Sequence, residues 1–377
     1  MARILVLGAG FGGITVAYRL AALLGPEHPI TVVAREANFV YLPSLPWVAV
    51  GTRQPQDIVA PLGPGLRRKG IRFVEAEVRA VDPDRRQVVV DAGVLRYDFL
   101  VIALGAELDW EALPGARTHS HNIHRLDGAV RIWEALQEFE AGEILIAIAA
   151  GADTPAPAYE LAFLLDDYFR RRGRRRRIEI EIVTNEPRAL DQGGDGASRV
   201  VARALEQRRI RLRTATRVRQ AEPGCLVLED GTRLGAELLF IDPPYRGPAP
   251  LHCSSLADAA GFVRCNLHMQ NPDYPEVFAA GDCVALDGLK TGHNARLAGG
   301  VVAQNLAAVV GGGPPRARFR PSTLVDLPLG SRDAVFSIWK PSPPALGNWQ
   351  IQITHAGRAP MWIKHALERY FLWQIGR

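Results

Sequence analysis

Lysine is nearly missing from this chain. Lysine and arginine together number 45, and only Lys69, Lys290, Lys340 and Lys364 are lysines. The excess over 40 acidic residues leaves a formal charge of +5. A GC-rich or thermophilic source accounts for such an arginine bias as well as a polyanionic partner does. No basic run is interleaved with aromatics, which argues against nucleic acid. Cysteine is scarce as well. Cys225, Cys253, Cys265 and Cys283 are scattered without CxxC spacing, which excludes a zinc knuckle and a local redox pair. All four read first as small buried hydrophobes. Cys283 is placed to approach a cofactor, and Cys253 and Cys265 can meet in space. No apolar run is long enough to span a bilayer, and Met1 leads almost directly into an apolar strand with no signal segment before it. The expectation is a soluble or peripheral protein made in the cytoplasm.

What is present is ordinary for a globular protein, with 47% hydrophobic and 23% charged residues. A chain of 377 residues is too long for one core, so two or three domains are expected.

ARILVLGAGFGGITVAYRLAALL reads as an apolar strand, a glycine turn and an amphipathic helix. The turn supplies Gly8, Gly10 and Gly13 in G-x-G-x-x-G spacing. These allow the tight turn, the approach of a pyrophosphate to the backbone, and close packing of helix on strand. The helix then aims free N–H groups and a positive dipole at the phosphates. The second strand, PITVVAREANF, usually ends in a ribose-binding carboxylate. Ala34 falls at the usual place and cannot accept a hydrogen bond, so Glu36 is the nearest candidate. YDFLVIALGAE (Tyr97–Glu107) is a buried strand ending at Gly105, where a flat cofactor can lie against bare backbone. YPEVFAAGDCVAL (Tyr274–Leu286) runs into Gly281 and Asp282, a pair that meets the ribityl or phosphate region in two-nucleotide flavoproteins. Three such motifs in this order point to FAD.

With those residues in view, the chain resembles the sulfide:quinone oxidoreductase branch of the pyridine nucleotide-disulfide-type flavoproteins. That branch is related to flavocytochrome c sulfide dehydrogenase and to the type II NADH dehydrogenases. The resemblance rests on YLPSLPWVAVGTR (Tyr41–Arg53), PAYE (Pro157–Glu160), DPPYRGPAP (Asp242–Pro250), LKTGHNAR (Leu289–Arg296) and WIKHALERYFLW (Trp362–Trp373). It implies an α/β fold of two Rossmann-like domains, the second inserted in the first, plus a C-terminal segment with an amphipathic helix. The FAD domain is expected at 1–110 and 240–320, the inserted NAD-binding-like domain at 111–239, and a membrane- and quinone-facing segment at 321–377. The resemblance also implies electron transfer from a small-molecule donor on one face of the flavin to a quinone on the other. It places Lys290 near the ring, where a cation stabilises the reduced form, and Glu160 near the flavin as an acid–base residue.

The turn GADTPAPAYE (Gly151–Glu160) departs from a nucleotide loop. Pro155 and Pro157 remove two N–H donors, and Thr154 adds bulk, so NAD(P)H is expected to bind poorly there. The sulfide-oxidising branch carries a cysteine in this turn, a second before the C-terminal segment and a third upstream of the turn, in the stretch HNIHRLDGA. The positions matching these hold Thr154, Thr323 and His124. Threonine forms no persulfide and ionises far above physiological pH, so the usual persulfide chemistry is not expected.

Three further features complete the reading. His119, His121 and His124 alternate in THSHNIH and can bind a metal if the segment is extended, yet no carboxylate or cysteine completes a ligand set, and none is expected. His124 is a proton-relay candidate from the segment's donor-side place in the family. RRRGRRRR (Arg170–Arg177) reads as a solvated helix end, with attraction to anionic lipid left open. The tail APMWIKHALERYFLWQIGR, after the linker GGGPPRARFRP (Gly311–Pro321), places Trp362, Ile363, Ala366, Leu367, Tyr370, Phe371 and Trp373 on one broad apolar side, away from Lys364, Glu368 and Arg377. That pattern suits lying on a bilayer, or packing on a domain or a second subunit.

The leading expectation is an FAD-dependent oxidoreductase passing electrons from a small donor to a quinone, peripheral to the inner face of the cell membrane. A homo-oligomer is left open. The alternatives are an NADH:quinone oxidoreductase, in which Glu186 faces a ribose, and a non-enzymatic flavoprotein electron-transfer or binding subunit.

Overall fold

A computed structural model describes residues 1–286, 290–340 and 351–376. Its first sheet is parallel and has five strands, in the order Val277–Ala279, Phe99–Ile102, Ile4–Leu7, Ile30–Ala34 and Arg72–Glu75. Ile4 pairs with Ile30 on one side and with Phe99 on the other. Every residue of Ile4–Leu7 is buried, because helices and loops cover both faces of a parallel sheet and leave no polar side to alternate with. Four strands of this sheet precede residue 103 and the fifth lies beyond 276, so the chain leaves the sheet and returns to it.

Between those two visits lies a second parallel sheet. Its order is Arg211–Arg213, Ile178–Thr184, Gly142–Ile148 and Leu238–Asp242. The pairs Ile144 with Leu238 and Ile148 with Asp242 bound its last ladder. The boundary expected between 239 and 240 therefore falls inside a strand, and the ladder carries the inserted sheet as far as Asp242. Each sheet has an antiparallel three-stranded meander attached, spanning residues 78–96 and 218–235. A short antiparallel pair, Glu107–Leu108 with Tyr245–Arg246, joins the two crossover segments.

Two helices frame the end of the first sheet. The helix Phe11–Leu23 packs along Gly292–Val310. A Cβ on Gly299 would stand 2.8 Å from the Gly12 carbonyl oxygen, so the close crossing depends on a residue without a side chain there. The C-terminal segment forms an antiparallel sheet, Thr323–Pro328, Ala334–Lys340 and Ile351–Gly357, followed by the helix Arg358–Gly376.

The arginine run is more than a solvated helix end. Asp166 is fully buried and is held by Arg170 at 2.7 Å, Arg175 at 2.6 Å and Arg208 at 2.8 Å. Two of the run's arginines thus neutralise an interior carboxylate, whose burial unpaired would be costly.

Candidate functional site

The nucleotide cleft follows from the first turn. Gly8 adopts φ +96°, and a Cβ there would sit 2.1 Å from the Ala103 carbonyl oxygen. A Cβ on Gly13 would lie 2.0 Å from the Gly8 carbonyl oxygen, so strand, turn and helix interlock through these two positions. Gly10 is different: no atom lies within 4 Å of its would-be Cβ, and it caps the helix with no side-chain hydrogen bond. The first N–H groups of that helix therefore face open space, as a pyrophosphate requires. Gly105 follows the neighbouring strand at φ +75°, also with open space around it. Glu36 lies just past the second strand, exposed and 3.5 Å from Arg35, free to reach a ribose hydroxyl. These residues fit the FAD that the motifs imply.

Asp282 closes the cleft from the late strand. Burial pushes its carboxyl up to about 6, opposed by the Lys290 charge and reinforced by Asp153. Lys290 Nζ donates to the carbonyl oxygens of Asp282 at 3.0 Å and Val284 at 3.4 Å, and rests 3.9 Å from the Phe262 ring centroid. A small cavity of about 30 Å³ opens here, lined by Gly281, Asp282, Lys290, Asn294 and Ala295 among others. Cys283 is buried beside it and donates to the carbonyls of Ile102 and Ala280. Burial pushes this thiol up to about 12 and raises Cys265 as well, which keeps both as unreactive thiols.

The inserted turn reaches the same place from the other side. Pro155 caps the helix Ala156–Arg171, and Pro157 occupies its first turn. The Thr154 hydroxyl donates to the Lys290 carbonyl oxygen at 2.7 Å, so this turn is fastened to the loop that carries the lysine. Glu186 accepts from the Tyr159 hydroxyl at 2.7 Å, the Thr184 hydroxyl at 3.1 Å and the Asp191 amide at 2.8 Å. Its carboxylate is committed to internal contacts rather than to a ribose.

Glu160 lies one helical turn further in and is buried. Lys364 Nζ donates to both of its carboxylate oxygens at 2.7 Å, and Lys364 is itself buried. Burial raises the Glu160 carboxyl; the Lys364 charge and hydrogen bonds oppose this, and Asp326 adds to it. Burial pushes Asp326 up to about 6, again against Lys364. One turn along the C-terminal helix, Glu368 accepts from Ser44 and from Arg53 Nε at 3.0 Å, and Arg53 Nη2 lies 2.9 Å from His365 Nδ1. The Lys364 ammonium stands 5.1 Å from the Trp47 ring centroid. The helix is thus inverted relative to a simple amphipathic reading. Lys364 and Glu368 face inward with Met361, Phe371 and Ile375, while Trp362, Ile363, Tyr370 and Trp373 are exposed. Sequence reasoning missed Lys364, Asp326 and Glu368. The signal was available: Lys364 is as rare a lysine as Lys290, and residues 361, 364, 368, 371 and 375 fall on one helical face.

The histidines do not share a face. His119 ends the helix Ala116–His119, and His121 lies against Phe240 with ring centroids 5.8 Å apart. His124 turns elsewhere: Nε2 is 2.6 Å from Asp242 Oδ1, and Nδ1 is 3.0 Å from the Tyr245 hydroxyl. The extended, alternating arrangement fails because residues 116–119 coil. Among the described residues no group of three or more His, Cys, Asp or Glu is arranged to hold a metal.

Residues 2–299 match the model of the pyridine nucleotide-disulphide oxidoreductases, and the chain belongs to this family. It is 30% identical over 396 residues to the sulfide-quinone reductase of Aquifex aeolicus, covering 99% of this chain and 91% of that protein. It is 23% identical over 299 residues to the type II NADH:quinone oxidoreductase of Staphylococcus aureus, covering 75% and 74%. The solved sulfide:quinone oxidoreductase of Aquifex aeolicus superposes with a TM-score of 0.93 at 29% identity, covering 100% of this chain and 92% of that one. The NDH2 of Plasmodium falciparum in complex with NADH shares the fold, with a TM-score of 0.76 at 14% identity, covering 100% and 96%. The α/β architecture with Rossmann-like parallel sheets and a C-terminal helix is that of the family, as is the assignment of the chain as an FAD-binding oxidoreductase.

Proposed function

We propose that this flavoenzyme passes electrons from a small donor on the inserted-sheet side of the cofactor to a quinone arriving from the side of the C-terminal helix. Bound FAD supplies the two-electron carrier. Gly8, Gly10, Gly13 and the helix they open would hold its pyrophosphate, Glu36 its ribose, and Gly105 and Asp282 the flavin half. Lys290 would place a positive charge beside the ring. The observation that carries the quinone assignment is the buried Glu160–Lys364 pair beneath an exposed aromatic helix face. Reducing a quinone consumes two protons. A buried carboxyl of raised proton affinity, paired with an ammonium and neighboured by Asp326, can hold and deliver them in an apolar slot.

Trp362, Ile363, Tyr370 and Trp373 suit a bilayer interface, and quinones reside in lipid. Among the described residues no helix is long and apolar enough to cross a membrane. This reading places the protein on the inner face of the cell membrane, through its last helix.

The donor is not handled as a persulfide in this proposal. Thr154 is tied to the Lys290 carbonyl, Thr323 lies buried in a strand, and His124 is engaged with Tyr245 and Asp242. None of these side chains can carry sulfur covalently. NADH is the second reading, favoured by the likeness to a type II NADH:quinone oxidoreductase. The prolines at the inserted turn and the internal contacts of Glu186 weigh against it. A flavoprotein without donor chemistry is the third, and the intact Lys290 and Glu160–Lys364 arrangements weigh against that. Anaerobic mixing of the yellow protein with sulfide, NADH or a reduced quinone separates them. Bleaching by reduced quinone, with none by sulfide or NADH, is the expected result. Rapid bleaching by NADH installs the second reading, bleaching by sulfide overturns the thiol argument, and no bleaching installs the third.

A further inference from the structure

Two arginines stand together on the flank of the last helix. Arg19 projects from the exposed side of the helix Phe11–Leu23, and its Nη1 lies 2.7 Å from where a Cβ on Gly300 would be. Arg296 precedes Gly300 by one turn of the helix Gly292–Val310, on the same face. Its Cζ lies 4.4 Å from the ring centroid of Phe371 in the last helix. Three helices from distant parts of the chain thus bring two guanidinium groups to one place.

The pair is unfavourable as it stands. Arg296 is half-buried; burial lowers its proton affinity, Tyr370 opposes this, and the Arg19 charge adds to it. No acidic side chain is among the charges acting on Arg296, and neither guanidinium forms an ion pair among the described residues. The Phe371 ring compensates only part of the cost. Other cations around these helices are occupied. Arg53 holds Glu368 at 3.0 Å, Arg68 donates to the Gly376 carbonyl oxygen at 2.6 Å, and Lys69 rests 4.8 Å from the Tyr18 ring centroid. An anion bridging Arg19 and Arg296 would turn their repulsion into attraction, and the planar arginine fork matches phosphate oxygens.

The rim of the pair selects the kind of phosphate. Tyr370 packs on Phe371 with ring centroids 5.7 Å apart and stacks with Trp373 at 6.5 Å, and both Tyr370 and Trp373 are exposed. Leu23 lies one turn beyond Arg19 on the same face, Leu297 follows Arg296, and both are exposed as well. Tyrosine and tryptophan settle at headgroup depth, which is the level of the lipid phosphates. A soluble phosphate needs no such apolar collar. Two cations with no acid between them favour a headgroup of net negative charge over a zwitterionic one. We propose that Arg19 and Arg296 clasp the phosphate of one anionic phospholipid and so fix the last helix at the membrane surface. This inference rests on the membrane contact of the reading above and adds to it a lipid class and a site.

The test measures partition of the flavin-loaded protein onto vesicles of phosphatidylcholine alone and of phosphatidylcholine with phosphatidylglycerol. The unaltered protein is expected to prefer the anionic vesicles by about 30-fold, at roughly a factor of five per arginine. R19Q and the charge-conserving R19K/R296K lose most of that preference and still bind neutral vesicles through the aromatic residues. R19Q alters an exposed side chain, and its flavin absorbance and unfolding free energy check that it folds. Lysine keeps the charge without the fork, so full preference in R19K/R296K would reduce the effect to diffuse attraction and refute the site. Equal binding of the unaltered protein to both vesicles refutes the site and leaves the membrane contact standing. Binding to neither removes both. A thermal shift with inorganic phosphate that R19Q lacks, without any lipid preference, would give the pair to a free anion and likewise count against the proposal.

Discussion

Lys364 Nζ lies 2.7 Å from both carboxylate oxygens of Glu160, a residue 204 positions earlier in the chain. This one contact fastens the last helix to the helix that follows the inserted turn, in a place with almost no solvent. Each partner compensates the other's burial, so the two cannot be altered independently.

Replacing one partner leaves the other charge stranded. K364M is expected to cost about 3–5 kcal/mol, read by chemical denaturation of the holoprotein. The double variant E160Q/K364M recovers most of that stability because both charges of the pair are removed together. It does not recover quinone-driven flavin reoxidation. If the double variant turns over quinone normally, the pair is structural only.

Asp326 gives stability a pH dependence of defined sign. Its carboxyl is raised from 3.8 to about 6 in the folded protein, so the folded state binds its proton more tightly than the unfolded state. Its contribution is fully present below the unfolded value and is lost as pH rises through the folded one. Each unit corresponds to about 1.4 kcal/mol, which makes the loss about 3 kcal/mol at most. D326N is expected to flatten this slope between about pH 4 and 6 and to be the more stable protein above it. Parallel stability curves for the two proteins would refute the assignment.

The glycines of the first turn separate folding from cofactor binding. G8A forces a Cβ against the Ala103 carbonyl and should fold poorly, by several kcal/mol of steric strain. G10A meets no protein atom and should keep the melting temperature of the apoprotein while losing flavin. The ratio of flavin to protein absorbance reports the difference. A fully yellow G10A would show that the pyrophosphate lies elsewhere.

The exposed aromatics of the last helix can be removed without touching its buried face. W362S/W373S is expected to leave the unfolding free energy unchanged within about 0.5 kcal/mol and to abolish flotation with vesicles of mixed neutral and anionic lipid. Unchanged flotation would move the membrane contact to another surface.

The glycine turn was legible because its chemistry is local: Gly8, Gly10, Gly13, Gly105 and Asp282 each sit within a strand–turn context that sequence alone reveals. Glu160 was legible through its helix, but its partner was not, since pairing across 204 residues leaves no local trace. The His119–His121–His124 pattern misled because a strand-like alternation was assumed where four residues coil into a helical turn. The triad of Asp242, His124 and Tyr245 was invisible for a related reason. It forms only where a ladder end, a loop and a two-residue strand meet. That the strand Leu238–Asp242 joins the inserted sheet was not legible, because hydrophobic pattern marks a strand without saying which sheet receives it.

The inward-facing charges of the final helix have a practical corollary. Cutting the chain before Arg358 to obtain a more tractable protein would strip Glu160 of its counter-cation and Ser44 and Arg53 of their acceptor in a single step. Truncation is therefore no route to a working form, whereas polar replacements restricted to the outward aromatic residues leave these buried contacts in place.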